Sequence, residues 1–313
     1  MSVFAFMIKK PSEPSGGDTA VFGGGNETSF TSLDVMDYFT ISTTGDASDF
    51  GDLITSRIYP FACSNGGDHR GIFGSGYNNS ADEIASIEYI TVNSPGNASN
   101  FGSTDTDCYA NAATSNGTSN RGVIGGGQTP TKLNVIQYIT INSTGDATDF
   151  GDLTLARAYL AACSNGTNER GIFGGGNDGS ENEIDYITIN STGDATDFGD
   201  LTVGRRFLGG LSNQTNERGV FGGGNYLGGG GDMIDYVTIN STGNATDFGD
   251  LTVGRYTSGT SNGTNERGVF GGGTTGSVVQ DVIDYITINS TGDATDFGDL
   301  TSARYYTRGL SNA

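Results

Sequence analysis

Apolar residues fall in short runs separated by Gly, Asn, Asp and Ser, and the runs recur along the whole chain. In the stretch IDYITIN, Ile184 to Asn190, residues Tyr186, Thr188 and Asn190 alternate with Ile187 and Ile189, which is the period of a strand. Both faces are partly apolar, as a sheet packed between two other sheets requires. Three further strands complete a unit. With IDYITIN as strand C, strand B is RGIFGGG at Arg170 to Gly176, strand D is ATDFGDL at Ala195 to Leu201, and strand A starts near Arg205 and runs to Asn213.

This unit of about 50 residues occurs six times; the phenylalanine of its DFG element stands at Phe50, Phe101, Phe150, Phe198, Phe248 and Phe297. Repeats of this period mean a solenoid, a propeller or an array. The units start near residues 19, 70, 121, 170, 218 and 267 and occupy 18–313, which leaves 1–17 as an N-terminal arm. The first unit opens on strand B and the chain ends on strand A, so the last strand is expected to pair with the first unit and close a ring. Closure removes the edges that an open array exposes. The expected fold is all-β, a six-bladed propeller of four-stranded blades.

Composition agrees with short strands and tight turns: Gly is 53 of 313 residues and Trp is absent. The glycines ending strand B remove side chains where neighbouring sheets approach closely. A net charge of -21 repels a phosphate backbone and an anionic membrane, so neither nucleic acid nor membrane insertion is expected. The opening MSVFAFMIKK has an apolar run too short for a signal peptide or a spanning helix. Cys63, Cys108 and Cys163 are odd in number and read as buried small residues rather than a disulfide framework.

The glycines Gly174, Gly175 and Gly176, the following Tyr186, the outer-strand Phe198 and the Arg205 that opens the next inner strand resemble the kelch repeats of β-propellers, the galactose oxidase type included. The resemblance covers nearly the whole chain and implies a kelch-like propeller. It departs from that pattern in having Phe where such repeats usually carry Trp.

Comparing the units exposes a degenerate one. The Asp after Phe-Gly (Asp52, Asp152, Asp200, Asp250, Asp299) becomes Ser103, and the Arg five residues later (Arg57, Arg157, Arg205, Arg255, Arg304) becomes Cys108. Two losses in one unit predict that these Asp and Arg residues are partners in a structural charge-assisted hydrogen bond, within the D to A turn or between adjacent blades. Asp194, Asp197 and Asp200 recur at a spacing that could offer oxygen ligands to Ca²⁺, but not at the spacing of a calcium loop, so no metal is expected.

His69, the single histidine, falls in a predicted turn and reads as solvated. Neither a Ser-His-Asp set, nor HExxH, nor CxxC occurs, the glycine runs lack the lysine of a phosphate loop, and the carboxylates sit at repeated turn positions. The copper site of galactose oxidase needs histidines that this chain lacks. The expectation is therefore no enzyme, no catalytic residue and no cofactor. Asn142, Asn190 and Asn289 head glycosylation-type triplets that are by-products of the repeated turn.

Individuality is concentrated in the loops between strands B and C, while the Asn-Ser-Thr-Gly turns hardly change. Variable loops on a rigid scaffold are where recognition tends to reside. Phe30, Tyr77, Lys132 and Tyr226 are the loop residues most able to anchor a partner. Strand A varies too, which packing of the central tunnel explains.

The near-identical YITINSTGDATDFGDLT units look like those of virion proteins of tailed phages, marine and cyanobacterial ones in particular, where kelch-like repeats occur in tail fibres. That resemblance implies a non-enzymatic viral structural protein, a tail fibre, spike or decoration component located in the virion after assembly in the host cytoplasm, that mediates host attachment or virion assembly. The arm, through Val3, Phe4, Phe6, Met7 and Ile8, would dock onto other virion proteins, and the loops would meet a host surface glycan or protein. The alternative is a secreted or cell-surface carbohydrate-binding propeller.

Overall fold

A computed structural model describes residues 17–28, 31–80, 82–177, 181–226 and 229–313. The chain forms six four-stranded antiparallel blades, a β-propeller. Blade 1 combines Arg308–Ser311, Thr19–Gly23, Val35–Thr40 and Ser48–Asp52, from axis to rim. Blade 4 shows the repeating order as Ala161–Ser164, Arg170–Gly174, Glu183–Thr188 and Thr196–Asp200. The ring closes as the sequence predicts: Ala20 pairs with Ser311, Val21 with Leu310, Phe22 with Gly309 and Gly23 with Arg308. The arm residues Val3, Phe4, Phe6, Met7 and Ile8 lie outside the described residues.

The core lies between blades. Ile172, Ile184 and Phe198 of blade 4 pack against Phe221, Val237 and Ile239 of blade 5. At the closing seam Phe22, Phe39 and Ile41 meet Val269, Ile283 and Phe297. The strand B glycines have two distinct tasks. A Cβ on Gly174 would lie 3.0 Å from the Phe221 ring of the next blade, so the first glycine makes room for an aromatic wedge. Gly175 and Gly176 have φ of 68° and 118° and turn the chain out of the sheet, which is why strand B ends at Gly174 rather than Gly176.

A bulge after Ile184 shifts the register, so Ile184 faces Gly199 and Asp185 faces Asp197. Phe198 is the extra residue, and it turns into the core edge-on to Tyr186 at 6.2 Å. The Arg170 guanidinium covers the other part of Tyr186 at 4.3 Å and donates to the Ile239 carbonyl of the next blade.

Candidate functional site

Four sets of repeated residues join each blade to the next, and together they define two unlike faces. The first set corrects the sequence reading. Arg57, Arg157, Arg205, Arg255 and Arg304 are among the largest fully buried side chains, whereas Asp52, Asp152, Asp250 and Asp299 are exposed and Asp200 is half-buried at the rim. The predicted pairs of Asp52 with Arg57, Asp152 with Arg157, Asp200 with Arg205, Asp250 with Arg255 and Asp299 with Arg304 therefore do not form. Each arginine instead meets an acid on strand C of the following blade: Arg57 with Glu88, Arg157 with Asp185, and Arg205 with Asp235, Arg255 with Asp284 and Arg304 with Asp37, the last three at 2.8 Å. A guanidinium removed from water needs a carboxylate equally removed, which a rim aspartate is not. Burial pulls the Arg57 and Arg304 guanidinium pKa values down, and their acids oppose that.

The sequence held the correct signal one unit further on. Cys108 leads into blade 3, whose acid position is occupied by Gln137, and the Gln137 side chain accepts the Asp105 amide at 2.9 Å. Loss of the cation and neutralisation of its acid go together across the blade boundary.

The rim aspartates belong to a second set, a clasp. The turn Ser191 to Ala195 of blade 4 lies on the outer strand of blade 3: Gly193 donates to Phe150 O at 2.8 Å, Ala195 to Asp152 O at 2.7 Å, and the Asp194 carboxylate accepts the Asp152 amide at 3.1 Å. This occupies the carboxylate that the sequence offered to calcium. Among the described residues no group of three or more His, Cys, Asp or Glu side chains is placed to hold a metal.

A third set lies on the face of the A to B turns, at the inner ends of the blades. Asn165 accepts the Arg170 amide at 2.7 Å and donates to Glu217 at 2.9 Å and Asn240 at 3.1 Å in the next blade. His69 takes the Glu217 position in its own unit, in left-handed backbone at φ 63°, and its Nδ1 lies 3.3 Å from the Asn312 side chain, just past the closing strand. It is thus half-buried at the seam and not merely solvated. Serines ring the channel mouth here; Ser115, Ser164 and Ser261 each donate to the preceding serine's carbonyl at 2.6 Å.

The fourth set occupies the opposite face, where the B to C loops emerge. Tyr59, Tyr159, Phe207 and Tyr306 stand at equivalent positions, two residues after the linker Arg, and Tyr256 and Tyr109 join them from one residue after Arg255 and Cys108, where Thr257 and Ala110 take the equivalent position. Tyr59, Ala110, Tyr159, Phe207 and Tyr306 all have φ between 56° and 63°. That conformation turns each amide toward the preceding linker: Tyr59 N donates to Tyr306 O at 3.0 Å, Ala110 to Tyr59 at 3.2 Å, Tyr159 to Ala110 at 2.7 Å and Phe207 to Tyr159 at 2.9 Å. Non-glycine residues in left-handed backbone cost about 1 kcal/mol or more each, and this series of linker-to-linker hydrogen bonds helps to offset it.

The rings converge on the axis. Tyr59 and Tyr306 have centroids 4.0 Å apart, Tyr159 and Phe207 4.5 Å, Phe207 and Tyr256 5.0 Å. This rosette closes the central channel at one end. Burial raises the Tyr59 and Tyr159 hydroxyl pKa values, each reinforced by neighbouring tyrosines, so both stay protonated hydrogen-bonding groups.

Of the loop residues singled out from sequence, Tyr77 adjoins this rosette: its backbone bridges to Ile58 and its ring lies 6.0 Å from Tyr109. Lys132 is half-buried in a small ribbon, Thr131–Lys132 paired with Gln128–Thr129. The backbone of Tyr226 forms a similar ribbon, Asn225–Tyr226 with Gly229–Gly230, and Phe30 lies outside the described residues. The rosette itself escaped the sequence reading, because its variation looked like tunnel packing. The signal available was an aromatic within two residues of the recurring Arg or its Cys108 replacement in all six units.

No helix among the described residues is long and apolar enough to cross a membrane. No family model matches the chain, and no curated protein matches it either.

Proposed function

We propose that this propeller is a non-enzymatic structural component of a tailed-phage virion, a fibre, spike or decoration protein with kelch-like repeats, and that it recognises a host surface glycan or protein through its rosette face. The observation that carries the reading is the asymmetry of the two faces. One is committed to inter-blade hydrogen bonds repeated nearly unchanged. The other presents variable loops around six half-buried or buried aromatic rings. Aromatic rings offer large, rigid contact area with a polar tip, which suits both sugars and protein side chains. The repeat sequence, similar to those of phage virion proteins, supports the virion setting.

Mass spectrometry of purified particles tests the setting: the protein should be present in stoichiometric amount, and its absence would remove the virion reading. Cell-binding assays with the purified propeller test the face. Tyr109→Ala combined with Tyr77→Ala should reduce binding at least tenfold while leaving the melting curve near that of the parent. Aromatic stacking also favours a second reading, a carbohydrate-binding propeller at a cell surface. Glycan binding with no protein in particles would support that one.

A further inference from the structure

Beneath the rosette the channel encloses about 130 Å³, walled by Ala62, Ala113, Ala162, Gly210, Gly259 and other small residues, and it opens at the serine ring. One cationic side chain lines it. Arg308 stands on the inner strand of blade 1, at a position filled by Phe61, Ala112, Ala161, Gly209 and Ser258 in the other blades. Its guanidinium reaches the Leu160 carbonyl at 3.4 Å. Leu160 leads into blade 4, diametrically opposite blade 1 in a six-bladed ring, so Arg308 crosses the lumen.

A guanidinium has five N–H donors, and this one long bond is all that Arg308 makes among the described residues. The other five inter-blade arginines of the linkers each have a buried carboxylate; Arg308 has none. The lumen lining contains neither Asp nor Glu. Its remaining ionisable groups are the Ala313 α-carboxylate, at the mouth beside Gly66, and Cys63 and Cys163, whose thiols burial pushes up to about 12, so the thiols stay neutral. Arg206 lies at the rosette, its guanidinium 4.9 Å from the Phe207 centroid, and brings a second positive charge. Ser258, also in the lining, accepts the Gly309 amide at 2.9 Å.

We propose that the channel of this propeller binds one small inorganic oxyanion, of the phosphate or sulfate type, on the Arg308 guanidinium. A planar fork of donors matches an oxyanion in two-point geometry, and a site screened from bulk water strengthens the pairing. The anion supplies the countercharge that the protein withholds from Arg308 alone, and it ties blade 1 to the far side of the ring. Entry is from the serine mouth, since the rosette closes the other end.

Equilibrium dialysis of the full chain against radiolabelled phosphate, in buffer free of other inorganic anions, tests this. The expected result is saturable uptake approaching one phosphate per chain, displaced by sulfate. Uptake should fall at least tenfold in Arg308→Gln, weaken but persist in Arg308→Lys, and stay at the parent level in Arg206→Gln. No saturable uptake by the unaltered protein below roughly 10 mM, which would leave any binding worth under about 3 kcal/mol, overturns the proposal whether or not the variants fold. So does displacement by chloride but not sulfate, or loss of uptake in Arg206→Gln with Arg308→Gln unaffected.

Discussion

Arg157 and Asp185 show what holds one blade to the next at the level of single side chains. The pair is buried on both sides, and Asp185 also accepts the Thr154 hydroxyl from the linker at 2.5 Å. Removing one partner strands the other charge in a poorly solvating site, which costs about 3–5 kcal/mol; replacing both by well-packed neutral groups is often nearly neutral. We therefore expect Asp185→Ala to lower the unfolding free energy read from urea denaturation by that amount. The double variant Arg157→Cys with Asp185→Gln, which copies Cys108 and Gln137, should recover most of the loss. Equal destabilisation in the single and double variants would show that the ion pair is not what the site needs. The sequence revealed which arginines matter but not their partners, because the arginine closes one repeat and its acid lies inside the next. Comparing units in register pointed to Ser103, within the same copy, whereas the compensating change is Gln137.

At the level of elements, the C to D turn shows why the most constant segment of the repeat is on the outside. An outer strand is an edge with unpaired amides and carbonyls, and the turn of the following blade covers it. Gly199 of blade 4 is where the two backbones touch: with φ at 142°, a Cβ there would lie 2.6 Å from the Gly243 carbonyl of blade 5. Gly199→Ala should cost about 1–3 kcal/mol, through backbone strain and an opened clasp, read as a lower melting midpoint with unchanged circular dichroism below it. The constancy of Ser-Thr-Gly-Asp was visible in the sequence, and so was the strand on either side of it. That the turn seals a neighbouring strand was not, because the two meet through backbone atoms and leave no residue-type signature.

For the whole molecule, closure and charge set the terms. Deleting residues 303–313 removes the inner strand of blade 1 together with Arg304 and the Tyr305 and Tyr306 rings, so the ring opens at its seam. The truncated chain should lose its cooperative thermal transition or melt far below the parent, and an unchanged melting temperature would contradict closure as a source of stability. The acidic rim adds a pH dependence. Partial burial, then repulsion from Asp232, Asp293 and Asp247, raises the pKa of Asp250, and burial with Asp281, Asp46 and Asp296 does the same to Asp299. A carboxyl raised in the folded state contributes stability below its unfolded pKa and loses it as pH rises through the folded value. Asp250→Asn should accordingly be more stable than the parent at pH 7, by a margin that shrinks as pH falls toward 4; a margin that grows in acid would reverse the assignment.

The sequence by itself determined the strands, the number of blades and the closing of the ring, because each follows from local alternation, turn chemistry and a period that can be counted. Only the tertiary structure decided which arginine meets which acid, that the repeated turn covers a neighbour's edge, that aromatic rings close one end of the channel, and that Arg308 crosses it without a carboxylate. Those contacts join residues that are distant along the chain or stand opposite one another across the axis. Their positions follow from six blades arranged in a circle, and no pattern within one repeat encodes that circle's geometry.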